Sequence, residues 1–319
     1  MNRPFSFILM VCILALPVIG CAVAQKPATG MVVYTRSDAC GASDTWANYL
    51  GGYKQEDLLG TAVNGDPGIA EAVRQDVLGI GYNNIGYAYD ISTGKQVDGL
   101  LVIPIDINGN GNIDADENFY GTKAEIVRAI AEGRYPSPPA RDLHLVTKDK
   151  YSGITREFVR WVLTEGQQYV DPMGYIALPA VKIAAGLQKL GDAEPALKME
   201  GTITISGAFA LYPLMVKWGE EFQKLHPPVK FNISAGGAGK GMTDALGKMV
   251  DLGMLSREIN PAEIEKGACW ISVTRDAVVP VANAKNPYKQ ELLTKGLTKQ
   301  AFADIWINGK MTDWQAISQ

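Results

Sequence analysis

Apolar and polar positions alternate in two rhythms along this chain. The clearest junction between them lies at residues 201 to 222, GTITISGAFALYPLMVKWGEEF. Ile203 and Ile205 alternate with threonine and serine at the period of a strand, and Leu211, Met215, Trp218, Phe222 and Leu225 then recur at the spacing of one helix face. The pattern predicts a strand that reaches Gly207 and turns at once into an amphipathic helix. The same device occurs twice more: SAGGAGKGM (234–242) follows the apolar run VKFNI, and TRSDACGASDTW (35–46) follows VVY, with its helix starting near Ser43. A helix that opens at a glycine turn presents unpaired N–H groups and the positive end of its dipole, so it suits an anion.

The remaining pattern fills in the architecture. GDPGIAEAVRQD predicts a helix with Pro67 in its first turn, and LGIGYNNIGYAYD predicts a strand followed by a loop. LHLVTK reads as a strand, ITREFVRWVLTEG as an amphipathic helix, VKIAAGLQKL as a surface helix and TKQAFADIW as a final helix. WISVTRDAVVPVAN reads as a buried pair of strands. GRYPSPPARDL cannot continue a helix and is the first candidate crossing between domains; NAKNP is the second. Strands alternating with helices imply an α/β fold, and 319 residues with 47% hydrophobic content suffice for two domains.

Charge and cysteines narrow the function. A net charge of -4 without a basic run argues against nucleic acid as a partner. Residues 1–25 read as a leader, with Arg3 ahead of the apolar FSFILMVCILALPVIG. Val18-Ile19-Gly20-Cys21 resembles a lipobox whose Cys21 would be acylated, and Ala22-Val23-Ala24 offers a competing cleavage site. The chain is therefore expected in the periplasm or on the outer cell surface, touching the membrane only through that anchor. Cys40 and Cys269 remain in the folded part; they permit one bridge, which the sequence alone does not establish. Two histidines, His144 and His226, and no CxxC give little support for zinc. A Ser/His/Asp triad has no GxSxG elbow to support it.

DINGNGNIDADE (106–117) carries the most specific chemical motif. Asp106, Asn108, Asn110, Asp114 and Glu117 occupy the side-chain ligand positions of a twelve-residue calcium loop, Asn112 supplies a backbone carbonyl, and Gly111 permits the bend. Oxygens at alternate positions wrap one hard cation, so structural Ca2+ in a strand–loop–helix site is expected. A solvated acidic turn is the alternative.

Arg36, at the end of a predicted strand and beside a glycine helix start, suits a tetrahedral oxyanion because guanidinium donates two parallel hydrogen bonds. An ion pair with Asp38 is the other role open to it. On the ligand reading, Arg36→Ala abolishes anion binding and leaves the fold intact.

These residues resemble the phosphate-binding proteins of phosphate uptake transporters, in the type II periplasmic-binding-protein group. ITISGAFALYP, SAGGAGKGM, VDLGMLSREI and GKMTDW are similar to the first half of that family; VVYTRSDACGASDTW, GDPGIAEAV, LGIGY and EGQQYVDPMGYIALP are similar to its second half yet come first here. The chain thus looks circularly permuted, with GDAEPALKMEG as the joint. The resemblance implies two domains with a ligand cleft between them. One is discontinuous, 26–140 plus 285–319 and including the calcium loop, and the other is continuous, 141–284.

The resemblance also implies an anion site of Arg36, Asp38, Cys40, Gly41, Ala42, Ala208, Phe209, Ala238, Gly239 and Ser256. Cys40, Ala42 and Ala238 stand where hydroxyl-bearing residues are usual, and Ala208-Phe209-Ala210 replaces a serine- or threonine-rich turn. Ser43 and Ser256 are candidates to restore hydroxyl contacts, and Asp38 is the candidate acceptor for a proton of phosphate. The implied function is a non-enzymatic, monomeric binding protein that delivers inorganic phosphate to an ABC transporter permease. Sulfate, tungstate or molybdate are the rival ligands. A secreted phosphatase and a calcium-stabilised envelope interaction protein are the rival classes.

Overall fold

The computed structural model describes residues 29–192 and 197–318. Cys21 and the rest of the leader, with the middle of the GDAEPALKMEG link, lie outside them. The first elements are β1 (Val32–Arg36), α1 (Gly41–Gly51), β2 (Thr61–Val63), α2 (Gly65–Gln75), β3 (Gly79–Asn84), α3 (Ile85–Ala88), β4 (Leu100–Val102), β5 (Ile105–Asp106) and α4 (Lys123–Ala131). Then follow β6 (Ala140–Lys148), α5 (Gly153–Leu163), α6 (Ala180–Leu190), β7 (Gly201–Gly207), α7 (Tyr212–Leu225), β8 (Val229–Ala235), α8 (Ala238–Leu246) and β9 (Leu252–Leu255). The last are α9 (Pro261–Glu265), β10 (Ala268–Asn283), α10 (Lys289–Lys295), β11 (Leu297–Thr298) and α11 (Lys299–Trp306). Among the described residues no helix is long and apolar enough to cross a membrane.

One curled sheet runs in the order β2-β1-β3-β10-β6-β9-β7-β8, with β4 also paired to β10. β1 is parallel to β2 and β3, and β7 is parallel to β8 and β9, as expected where helices cover the crossovers. β10 is antiparallel to β3 and to β6 and joins the two parallel groups. Two main apolar cores lie along this sheet. The first gathers side chains from Cys40 to Ala140 with Ala277 to Ile317; the second gathers Leu143 to Val170 with Ile203 to Val273. We refer to the residues around them as the first and second lobes. The chain passes from one to the other inside β6 and inside β10.

WISVTRDAVVPVAN is one strand of the 16-residue β10, not the expected pair. Arg275 and Asp276, where a turn would have to fall, stay in the ladder opposite Asp142 and Arg141. Only a register shift between Ser272 and Thr274 interrupts the pairing.

The helix after β7 also starts later than its periodicity suggests. Residues 208–211 form a turn, and α7 opens at Tyr212 with Pro213 in its first turn. Gly207 sits at φ 135°, and a Cβ there would lie 2.3 Å from the carbonyl oxygen of Met254. The backbone therefore leaves β7 against β9, and the Ala208 N–H donates to Met254 O (2.9 Å) before helical geometry is reached.

The first and last described segments lie side by side. Met31 N–H donates to Thr312 O (2.8 Å), Trp314 N–H donates to Thr29 O (2.9 Å), and the Thr29 hydroxyl donates to Asp313 (2.6 Å). Trp314 is fully buried in the first core and donates its indole N–H to Leu78 O (2.9 Å).

Candidate functional site

β1 ends in Arg36, whose side chain is buried because β2 and β3 flank the strand and Phe209 of the second lobe lies over the guanidinium, 5.4 Å away. Its Nε donates to Asp38 Oδ1 (2.7 Å), Nη2 to Asp38 Oδ2 (2.5 Å) and Nη1 to Asp66 Oδ2 (2.8 Å). Burial works against the charge of Arg36, but Asp66 and Asp38 outweigh it and raise its pKa. Burial likewise works against the Asp38 carboxylate, and Arg36 with the Gly65 N–H holds its pKa below the usual range. Asp38 is thus the ion-pair partner of Arg36, with both oxygens engaged.

Asp66 was not among the sequence candidates. It is fully buried at the start of α2, and its Oδ1 accepts from the backbone and side-chain amides of Asn84 (3.0 and 2.8 Å). The available signal for it is the GDPG start of α2, a fourth helix that opens at a glycine.

α1 opens at Gly41, earlier than Ser43, because Cys40 acts as its cap: the Cys40 thiol accepts from Ser43 N–H (3.4 Å). Burial pushes the Cys40 thiol up to about 11, so it stays protonated at neutral pH. The Ser43 hydroxyl bonds Tyr82 (2.7 Å) and Cys40 (3.1 Å) inside the first lobe. It is a core contact and does not restore a ligand hydroxyl. Gln55 closes the loop, accepting from Cys40 N–H (2.9 Å) and donating to Asp38 O (2.7 Å).

The second lobe meets this loop through backbone. A Cβ on Gly41 would lie 2.1 Å from Ser256 O, one on Gly237 would lie 2.7 Å from Ala39 O, and one on Gly239 would lie 2.7 Å from the Ala39 Cβ. Gly239 N–H, in the first turn of α8, donates to Ala39 O (3.0 Å) across the lobes. Gly237 precedes that turn at φ 92°, a conformation glycine adopts without strain. The structure therefore brings together Arg36, Asp38, Cys40, Gly41 and Ala42 from the first lobe with Ala208, Phe209, Ala238, Gly239 and Ser256 from the second. A cavity of about 580 Å³ opens onto Arg36, Ala39 and Gly239, bordered by Gln55 and Arg257.

Two further buried charges stand behind α1. Arg141 donates to Gly41 O (2.6 Å) and to Asn84 Oδ1, and lies 4.0 Å from Asp276. Asp276 is 1% exposed, and neither carboxyl oxygen accepts a side-chain hydrogen bond. Burial raises its pKa to about 7, against the pull of Arg141. An aspartate inside the otherwise apolar WISVTRDAVVPVAN is the available signal for it.

Elsewhere, the Ser272 hydroxyl lies 3.1 Å from His144 Nδ1, but His144 Nε2 is buried without a partner, so no carboxylate completes a triad. Cys40 and Cys269 are both free.

The 106–117 loop lies in the first lobe, apart from the anion-site residues. Asp106 accepts from the N–H groups of Gly109 (2.7 Å) and Gly111 (2.9 Å), and Glu117 accepts from Ile107 (2.9 Å) and Asn108 (3.0 Å). Asn108 and Asn110 both direct side-chain amides at Asp114 Oδ2 (3.0 and 2.8 Å). As they stand, no three His, Cys, Asp or Glu side chains among the described residues form a metal-holding group.

Two α/β lobes joined through crossing strands, with helix starts facing each other where they meet, are the architecture of a periplasmic-binding-protein fold. The chain belongs to the PBP superfamily, whose domain matches residues 23–165 and 192–319. Phosphate-binding protein PstS 2 of Streptococcus agalactiae serotype V is 29% identical over 199 residues, which span 62% of this chain and 61% of that relative. PstS 2 of Streptococcus pneumoniae serotype 4 is 24% identical over 306 residues, covering 93% of this chain and 91% of the relative. Among solved structures, a phosphate-binding protein of a phosphate ABC transporter from Streptococcus pneumoniae TIGR4 shares the fold with a TM-score of 0.58 at 22% identity. It covers 90% of this chain and 99% of that one.

The Arg36 geometry revises the expectation that Arg36→Ala leaves the fold intact. Removing the guanidinium strands two buried carboxylates, so the variant is expected to lose about 3–5 kcal/mol of stability. An unfolding midpoint equal to that of the parent protein in a denaturant titration contradicts this account.

Asp276 sets a pH dependence. Its folded pKa, about 7, lies above the ordinary aspartate value of 3.8, so the native state binds the proton more tightly. Its contribution to stability is full below the ordinary value and is lost as pH rises through about 7. Asp276→Asn is expected to flatten that decline, and melting curves taken from pH 4 to 8 compare the two slopes.

Proposed function

We propose that this chain is an extracytoplasmic solute-binding protein that closes its lobes over inorganic phosphate and delivers it to an ABC transporter permease. The observation that carries the reading is the meeting of the first turns of α1 and α8, and of the turn before α7, beside Arg36. First-turn N–H groups lack intrahelical partners and are donors whatever the side chains are. An anion bound there uses backbone where Cys40, Ala42, Ala208 and Ala238 offer no hydroxyl. The names of the streptococcal relatives support phosphate as the anion. The protonated thiol of Cys40 and the incomplete Ser272–His144 pair favour a binding protein over an enzyme.

The domain division 26–140 plus 285–319 against 141–284 belongs to this proposal; the two apolar cores support its boundary at 140/141 and move the second one from 284/285 back to between Val273 and Ala277, inside β10. The permuted order belongs to it too; the pairing of Thr29–Met31 with residues 312–314 favours it, because ends that lie side by side are readily joined. Export and a lipid anchor at Cys21 complete the proposed localisation.

A phosphate-binding site that exists only in the native state shifts stability by about 2.7 kcal/mol at a hundredfold excess over its dissociation constant. Phosphate is expected to give the largest thermal shift in a panel with sulfate, tungstate and molybdate. A larger shift with one of the others replaces the ligand and keeps the class; no shift with any of them favours an interaction protein.

We also propose that the 106–117 loop holds Ca2+. Rotating the Asn108 and Asn110 amides by half a turn would aim their oxygens where their nitrogens now meet Asp114, giving the oxygen-rich shell a hard cation needs. Calcium should then raise the melting temperature, and Glu117→Gln should remove most of the rise. Identical melting in calcium and in excess chelator leaves the segment a turn.

A further inference from the structure

Arg141 and Asp276 face each other on the two strands that pass between the lobes. On β6 the first core ends at Ala140 and the second begins at Leu143; on β10 the second ends at Val273 and the first resumes at Ala277. The pair is in direct register at this junction, so it sits where both strands pass from one lobe to the other.

From there a chain of contacts leads to the proposed anion site. Arg141 donates to Asn84 Oδ1, Asn84 donates to Asp66 (2.8 Å), and Asp66 accepts from Arg36 (2.8 Å), which holds Asp38. Arg141 also donates to Gly41 O (2.6 Å). That bond fixes the Gly41–Ala42 peptide plane, whose N–H points the opposite way, toward the mouth of α1.

We propose that Asp276 takes up a proton when an anion binds at the α1 start, and that through Arg141 it is the positioning residue that makes anion affinity depend on pH. This inference rests on the anion-binding reading above. Two arginines, Arg36 and Arg141, and three aspartates, Asp38, Asp66 and Asp276, form the connected set, so its charge is -1 with Asp276 ionised and zero with it protonated. An incoming anion therefore favours the protonated form. Solvent supplies the proton, which ends on a carboxyl oxygen.

The carboxyl suits this role because both of its oxygens are buried and accept no side-chain hydrogen bond, and its pKa near 7 lies within reach of physiological pH. The groups that act on it are Arg141 from β6, the N–H of Ala277 on its own strand, Asp66 from α2, Lys123 from α4, Tyr87 from α3, Tyr135 after α4, and Tyr175 from the loop before α6. Lys123 gives its ammonium to Met173 O (3.0 Å); counting it moves the total to zero and +1 and leaves the direction unchanged.

The test is calorimetric titration of the full chain and of Asp276→Asn with inorganic phosphate at pH 6, 7 and 8, in two buffers of different ionisation enthalpy. Phosphate's own titration is common to both proteins, so the difference between them isolates Asp276. At pH 8 the parent protein is expected to take up close to one proton more per phosphate than the variant. The ratio of variant to parent affinity should grow by up to about tenfold per pH unit above the midpoint. Equal proton counts and a constant ratio overturn the inference while leaving phosphate binding in place. No phosphate binding by the parent protein at any pH overturns the ligand reading, and this inference with it. If Asp276→Asn does not fold, infrared difference spectra of the parent protein with and without phosphate decide the matter. A protonated-carboxyl band gained on binding supports the inference, and its absence refutes it.

Discussion

A guanidinium shared by two buried carboxylates governs this site. Arg36 ties the end of β1 to the loop that starts α1 through Asp38, and to the start of α2 through Asp66. Taking any of these charges out of water singly is costly, and each is tolerated because the others are present with matched geometry. The same bonds that could hold an oxyanion are thus spent on the protein. What Arg36 gives the site is a fixed arrangement of two helix starts more than a free positive charge.

Small residues at the meeting of the lobes follow from that arrangement. With Gly41 against the Ser256 carbonyl, and Gly237 and Gly239 against Ala39, the two backbones approach more closely than side chains would allow. Cys40, Ala42, Ala208 and Ala238 are all buried around this contact. Their size suits a seam built from main chain, in which N–H groups and helix dipoles carry the electrostatics.

Much of this was legible in residue order. The 3.6 and 2 periodicities located β7, β8 with α8, and β1 with α1, because each element buries one face and shows another. The resemblance placed Arg36 and the three glycine starts together, which periodicity alone does not do. Three features were not legible. β10 was expected as a pair of strands, and nothing local reveals that Asp276 is matched by Arg141 across the ladder of one continuous strand. The start of α7 was misplaced because the close approach of Gly207 to β9 is a tertiary contact. Asp66 was overlooked because its partner Arg36 belongs to a different strand–helix unit, and a sequence does not report which carboxylate completes a pair.

The seam between Thr29–Met31 and residues 312–314 bears on the order in which the molecule assembles. The first core needs Trp306 and Trp314 from the end of the chain, whereas the second is built from an unbroken stretch between Leu143 and Val273. A chain made from its N-terminus has the first lobe's strands in hand early but lacks the aromatic side chains that close it, so the second lobe is the first able to complete a core. In a growing chain the apolar strands of the first lobe thus stay without Trp306 and Trp314 until after the second core has all its residues.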